Sequence, residues 1–198
     1  MSLIPLLNKI RDCSHCKEHL PLGPRPVVRA SETARVLIIG QAPGTKVHAS
    51  GIPWDDASGK RLREWLALTP EQFYDESHIA IVPMGFCYPG KGKSGDLPPR
   101  KECAPLWHKL LLEQMPNLEL VLLIGQYAQN HYLHADFLKQ YKTLTERVQN
   151  WQQVPRPFYV LPHPSPRNQI WLKKNPWFES DVVSVVKNRC HKSLGLCD

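Results

Sequence analysis

Four short apolar runs, each broken off by a turn-forming residue, constrain this 198-residue chain more than any other feature. They are Val36-Leu37-Ile38-Ile39 before Gly40, Ile79-Ala80-Ile81-Val82 before Pro83, Leu120-Val121-Leu122-Leu123-Ile124 before Gly125, and Phe158-Tyr159-Val160-Leu161 before Pro162. None alternates polar with apolar residues as a strand with one wet face does. Each is apolar almost throughout, the pattern of strands covered on both faces. Helical periodicity fills the gaps at Lys60 to Leu68, Lys101 to Met115, Gln126 to Leu133 and Pro176 to Arg189, with one more helix expected over Ile4 to Cys13. Strands alternating with helices imply right-handed crossovers between parallel neighbours. The expected fold is therefore α/β: three α/β/α layers around a mainly parallel four-stranded sheet, in a single domain over residues 1–198.

In open sheets of this kind, ligands bind beyond the carboxyl ends of the strands. The loops there read Gly40-Gln41-Ala42-Pro43-Gly44, Pro83-Met84-Gly85-Phe86-Cys87, Gly125-Gln126-Tyr127 and Pro162-His163-Pro164-Ser165-Pro166. No glycine-rich phosphate loop with a following Lys-Ser or Lys-Thr occurs, nor Gly-x-Gly-x-x-Gly, so nucleoside-triphosphate and dinucleotide chemistry lose their main support. The net charge of +7 points instead to a polyanionic partner such as nucleic acid. Basic residues cluster at Lys91-Gly92-Lys93 with Arg100-Lys101, and again with aromatic residues from Gln169 to Trp177. The longest apolar runs fall far short of the roughly 18 to 20 residues that span a bilayer, and the opening segment lacks the pattern of a secretory leader. A cytoplasmic monomer that does not engage membranes is the simplest expectation.

Six cysteines in a chain with no secretory pattern argue against a disulfide framework. Cys13-Ser14-His15-Cys16 sets two thiols within one turn, Cys87 follows the second run, and Cys103 opens a helix. A zinc ribbon needs a second close pair, which Cys87 and Cys103 do not form, whereas dispersed thiolates can hold an iron-sulfur cluster. Zinc stays open as the alternative, as does a set of ordinary thiols, and Cys190 and Cys197 are spare in either metal scheme.

Taken together, the Gly40-Gln41-Ala42-Pro43-Gly44 loop after the first strand, the His163-Pro164-Ser165-Pro166 loop after the last and the order of four cysteines resemble the uracil-DNA glycosylase superfamily. The similarity is greatest to its iron-sulfur branch, often called family 4. The resemblance implies a DNA repair enzyme that flips a damaged base, first of all uracil, out of DNA and hydrolyses its N-glycosidic bond. It assigns a 4Fe-4S cluster to Cys13, Cys16, Cys87 and Cys103. It makes His163 the catalytic donor to the leaving base, with Gln41 beside it, and Gly40, Ala42, Pro43 and Gly44 part of the base pocket. Gly51-Ile52-Pro53-Trp54 matches a segment whose aromatic residue stacks on the extruded base, here Trp54, and Asp55 and Asp56 follow as candidates to handle water. Ser165, Arg167 and Asn168 fall on the loop that presses into the minor groove, where Arg167 or Ile170 would fill the gap left by the flipped nucleotide.

Three positions depart from that pattern. Gln41 stands where the branch carries Glu. Ala42 stands where the best-known members carry the Asp that positions water, although the iron-sulfur branch also has Ala there, which leaves the water's base unnamed. Pro83 stands where an Asn usually reads the edge of uracil, and a proline side chain neither donates nor accepts a hydrogen bond. The expected substitutes are the backbone groups of Met84, Gly85 and Phe86 or the Gln41 amide. Two alternatives follow: the same fold acting on another deaminated or oxidised base, or a non-catalytic iron-sulfur module that binds DNA.

Overall fold

A computed structural model describes residues 2–196. The chain runs α1 (Leu3–Arg11), β1 (Val36–Ile39), α2 (Thr45–Ser50), α3 (Ala57–Leu66), α4 (Pro70–Phe73), β2 (Ile79–Ile81), β3 (Lys91–Gly92), β4 (Gly95–Asp96), α5 (Cys103–Leu112), β5 (Leu120–Ile124), α6 (Gln126–Tyr132), α7 (Ala135–Gln140), α8 (Leu144–Gln149), β6 (Phe158–Leu161), α9 (Gln169–Lys174) and α10 (Ser184–Leu194). The four apolar runs form one parallel sheet in the order β2-β1-β5-β6, with Val36 opposite both Ile79 and Leu120 and Val121 opposite Phe158. Every residue of β1, β2 and β5 is buried, as strands covered on both faces require. Helices flank the sheet in a three-layer α/β/α arrangement: α10 packs on β1 and β5 beside α3, while α1 pairs with α5. No helix among the described residues is long and apolar enough to cross a membrane.

The chain leaves β1 for β2 on one side and then crosses to β5 on the other, so the order reverses around β1 and a crevice opens at the carboxyl edge. Backbone hydrogen bonds carry the pairing past the strand ends. Val82 N donates to Ile38 O at 3.0 Å, Met84 N to Gly40 O at 2.9 Å and Gly85 N to Gln41 O at 3.0 Å. The loops after β1 and β2 are thus stitched together where the crevice begins.

Several boundaries differ from the periodicity reading. Helix α3 starts at Ala57 rather than Lys60 because the Asp56 side chain caps it, and it ends where Ala67 turns left-handed at φ 50°. The expected Pro176 to Arg189 helix begins instead with a π-helical turn, Phe178–Val183, and continues to Leu194, where Gly195 closes it. The loop expected between Lys91 and Arg100 carries the β3–β4 hairpin. Cys197 lies outside the described residues.

One buried polar network braces the loop after β2. His108, only 2% exposed on α5, makes a 3.0 Å hydrogen bond from Nε2–H to the Pro83 carbonyl, and the Tyr132 hydroxyl donates to Nδ1 at 2.6 Å. Burial lowers the His108 pKa from 6.5 to about 4. The unfolded chain therefore takes up this proton first, and stability is lost as pH falls from about 6.5 towards 4. A shift of that size corresponds to about 3 kcal/mol. Urea unfolding should show this decline from pH 7 to pH 4. The variant His108→Phe should be less stable at pH 7, because the Pro83 carbonyl loses its donor, yet decline less on acidification. Equal declines in the two proteins would remove His108 as the cause.

Candidate active site

A cavity of about 460 Å³ opens at the carboxyl edge of the sheet. The loop Gly40 to Gly44, Pro83, Trp54, His163 and Ser94 to Asp96 of the hairpin all line it. Ser165, Arg167 and Asn168 complete the wall. All but one of the pocket residues expected from sequence are thus brought together around one space.

Asp55 is the exception: it is exposed and does not line the cavity, and its charge is felt by the Tyr74 phenol. Its neighbour Asp56 lines the cavity instead. The reason is the turn at Trp54, whose φ of 58° lies in the left-handed region that a bulky residue rarely adopts. Such a backbone costs on the order of 1–3 kcal/mol and concentrates at functional positions. Two glycines make room for it. A Cβ at Gly40 would stand 2.7 Å from the Trp54 ring, and one at Gly59 would stand 1.7 Å from the Trp54 carbonyl oxygen. That carbonyl also accepts a hydrogen bond from Arg63 at 3.3 Å.

The Trp54 ring faces the His163 imidazole with centroids 5.5 Å apart and planes inclined by 32°. The His163 ring nitrogens have no hydrogen-bond partner among the described residues, so its N–H remains available to a ligand. Its backbone is fixed: Asn168 donates from Nδ2 to the His163 carbonyl at 2.7 Å. The Asn168 amide nitrogen is therefore spent on holding His163. Burial lowers the His163 pKa, partly opposed by the charge of Asp56, so the imidazole is neutral at pH 7.

The substitutes expected for the missing Asn at Pro83 divide sharply. Met84 and Gly85 have already given their N–H groups to Gly40 and Gln41, and the Pro83 carbonyl is taken by His108. Gln41 uses its amide nitrogen on the Leu97 carbonyl at 3.3 Å, which leaves its amide oxygen as the free edge. The hairpin is held over the cavity by Arg167, which donates to the Ser94 carbonyl at 2.7 Å. Sequence reasoning missed Ser58 and the stretch Ser94 to Asp96 as cavity residues. The only signal for the latter was its place between the third and fourth cysteines.

Cys13, Cys16, Cys87 and Cys103 converge on a second, much smaller cavity of about 10 Å³, walled by Leu20, Phe86 and Trp107. Cys190 is not among them; it is fully buried in the main core on α10. Burial pushes the Cys87 thiol up to about 11 and the Cys103 thiol up to about 12, and neighbouring thiolates push in the same direction. Four thiolates could share this space only with a cationic centre. The indole Nε1 of Trp107 is buried without a hydrogen-bond partner, an orphan donor suited to the sulfur of a cluster. Among the described residues, no group of three or more His, Cys, Asp or Glu side chains is placed to hold a single metal ion. Dispersed thiolates of this kind can be shared among the irons of a cluster.

A family model for the uracil DNA glycosylase superfamily matches residues 28–187. The match takes in the sheet, both signature loops, Cys87 and Cys103, and begins beyond Cys13 and Cys16. With the four-stranded parallel sheet, and the Gly40 and His163 loops facing one cavity, this chain belongs to the uracil-DNA glycosylase superfamily.

Proposed function

We propose that the protein is a DNA repair glycosylase that flips a damaged base into the 460 Å³ cavity and hydrolyses its N-glycosidic bond. The observation that carries this reading is a neutral, unpartnered imidazole facing an aromatic ring held in a strained turn, in one cavity at the strand ends. The cavity falls within the roughly 300–1,000 Å³ usual for small-ligand sites. A base drawn from the stack would lie against Trp54 and regain there the stacking it gave up. As the glycosidic bond breaks, negative charge grows on the base. The His163 N–H stabilises that charge without having to give up its proton. Lys91 and Lys93, in the hairpin that carries Ser94 to Asp96, and Lys173 and Lys174 on α9 are exposed and would serve as phosphate contacts. Arg167 is tied to Ser94, whereas Ile170 is 69% exposed on α9 and is the better wedge for the vacated position.

Uracil is the first substrate proposed. Pro83 favours a second reading, a different deaminated or oxidised base, because the side-chain partner that would select uracil is absent at that position. Cys13, Cys16, Cys87 and Cys103 would hold a 4Fe-4S cluster, which supplies a rigid anchor for the segments that meet there. The cluster takes no part in the hydrolysis proposed here.

Base release should be measured from a uracil-containing oligonucleotide, single and double stranded. Wild type should release uracil, and His163→Ala should be slower by about 10²–10³-fold, the usual effect of removing one such donor. No release from uracil but release from another lesion would favour the Pro83 reading. No release from any lesion, with DNA binding retained, would leave the non-catalytic module.

Protein purified without oxygen should be brown and contain iron with acid-labile sulfide. Cys103→Ser should bleach it, whereas Cys190→Ser should not. Zinc in place of iron and sulfide, or bleaching by Cys190→Ser, would overturn the ligand set.

A further inference from the structure

Hydrolysis needs more than a stabilised leaving group. The attacking water must lose a proton, and the loop Gly40-Gln41-Ala42-Pro43-Gly44 offers no titratable side chain to take it. Two carboxylates face the cavity, those of Asp56 and Asp96. Asp56 is committed. Its Oδ1 accepts the Gly59 N–H at 2.8 Å as the cap of α3, and its charge acts on His163, on the side of the leaving base.

Asp96 is not committed. Its carboxylate has no hydrogen bond or ion pair among the described residues. It leans onto the loop after β1: a Cβ at Gly44 would meet Oδ2 at 3.3 Å, so the side chain occupies the space that this glycine leaves open. The hairpin carrying it is held at its turn by Arg167 on the Ser94 carbonyl and at its foot by Gln41 on the Leu97 carbonyl. The carboxylate thus stands in a fixed place beside Gly44, in the cavity that Trp54 and His163 also line.

We propose that Asp96 is the general base of this site, taking a proton from the water that attacks the sugar. In the step, the water oxygen bonds to C1′ and the C1′–N bond breaks, its electron pair passing to the base. One water proton goes to the Asp96 carboxylate, and the departing base anion, held by the His163 N–H, acquires a proton from solvent. The products are the free base and an abasic sugar bearing the new hydroxyl. The charges around Asp96 suit this work. Arg167 from the loop after β6 and Lys91 from β3 favour its ionised form, while partial burial and Asp56 oppose it, and the balance raises its pKa above 3.8. A base nearer the operating pH is a better proton acceptor.

The inference rests on the glycosylase reading, and single-turnover base release separates the two. Wild type, Asp96→Asn and the exposed control Asp136→Asn, on α7 away from the cavity, are compared over a pH series, with affinity for the same oligonucleotide measured in parallel. Asp96→Asn should cut the rate about 10²–10⁴-fold, the usual share of a general base, with little change in affinity. It should also abolish the loss of rate that wild type shows on acidification through the Asp96 pKa. Asp136→Asn should match wild type. If wild type releases base and Asp96→Asn is as fast, or if its defect lies wholly in affinity, Asp96 is not the base although the enzyme reading stands. If wild type releases no base from any lesion, both fall together.

Discussion

Two backbone hydrogen bonds hold the working end of this molecule together. Met84 N–H reaches the Gly40 carbonyl and Gly85 N–H the Gln41 carbonyl, continuing the β1–β2 ladder past the point where both chains have ceased to be strands. Parallel strands normally diverge at their ends into separate crossovers. Here the loops stay side by side, and the cavity wall they form is made of main chain rather than mobile side chains. The cost is that the Met84 and Gly85 N–H groups cannot also read a ligand. Further elements reach the cavity from elsewhere: Trp54 from the turn before α3, His163 from the loop after β6, and the hairpin from between β2 and α5.

Each of those arrivals is braced by a specific contact. Trp54 holds a left-handed backbone because Gly40 and Gly59 leave space that any Cβ would fill. His163 is fixed through its own carbonyl by Asn168, so its ring can remain unpartnered without being loose. Pro83 cannot donate a hydrogen bond, but its carbonyl can accept one, and the neutral imidazole of His108 supplies it from the buried side. A proline in this loop therefore removes a polar side chain from the cavity without leaving an unsatisfied carbonyl behind it.

The sheet and its order of layers were legible in the sequence because buried parallel strands write themselves as uninterrupted apolar runs. The short helices were not. Helices α2, α7, α8 and α9 have six residues each, too few for a 3.6-residue period to stand out. Helix α8 does carry a capping box between Thr143 and Glu146, a local signal that could have found it. The loop residues around His163 and Gly40 were legible through resemblance, since their motifs are contiguous. Asp56 and Asp96 were harder to place. Whether a carboxylate faces a cavity depends on one φ angle at Trp54 and on a two-residue hairpin, and neither leaves a periodic trace.

The cysteines and the cavity are linked through the chain itself. The segment that leaves β2 passes Pro83 at the cavity and reaches Cys87 within a few residues, runs out through the hairpin, and returns by Pro99 and Arg100 to Cys103. The return passes close over the outgoing strand, for a Cβ at Gly85 would stand 3.0 Å from the Pro99 side chain. Both feet of the hairpin are therefore next to thiols that face one small space. Under the proposed reading, a cluster binding Cys87 and Cys103 closes that loop at its base, Arg167 holds the hairpin turn and Gln41 the residue just past β4. A loop fastened at both ends loses little further entropy when DNA arrives, so Lys91 and Lys93 meet phosphates from a position already fixed. That division of labour explains why a group with no role in bond cleavage would sit so near the site where cleavage is proposed.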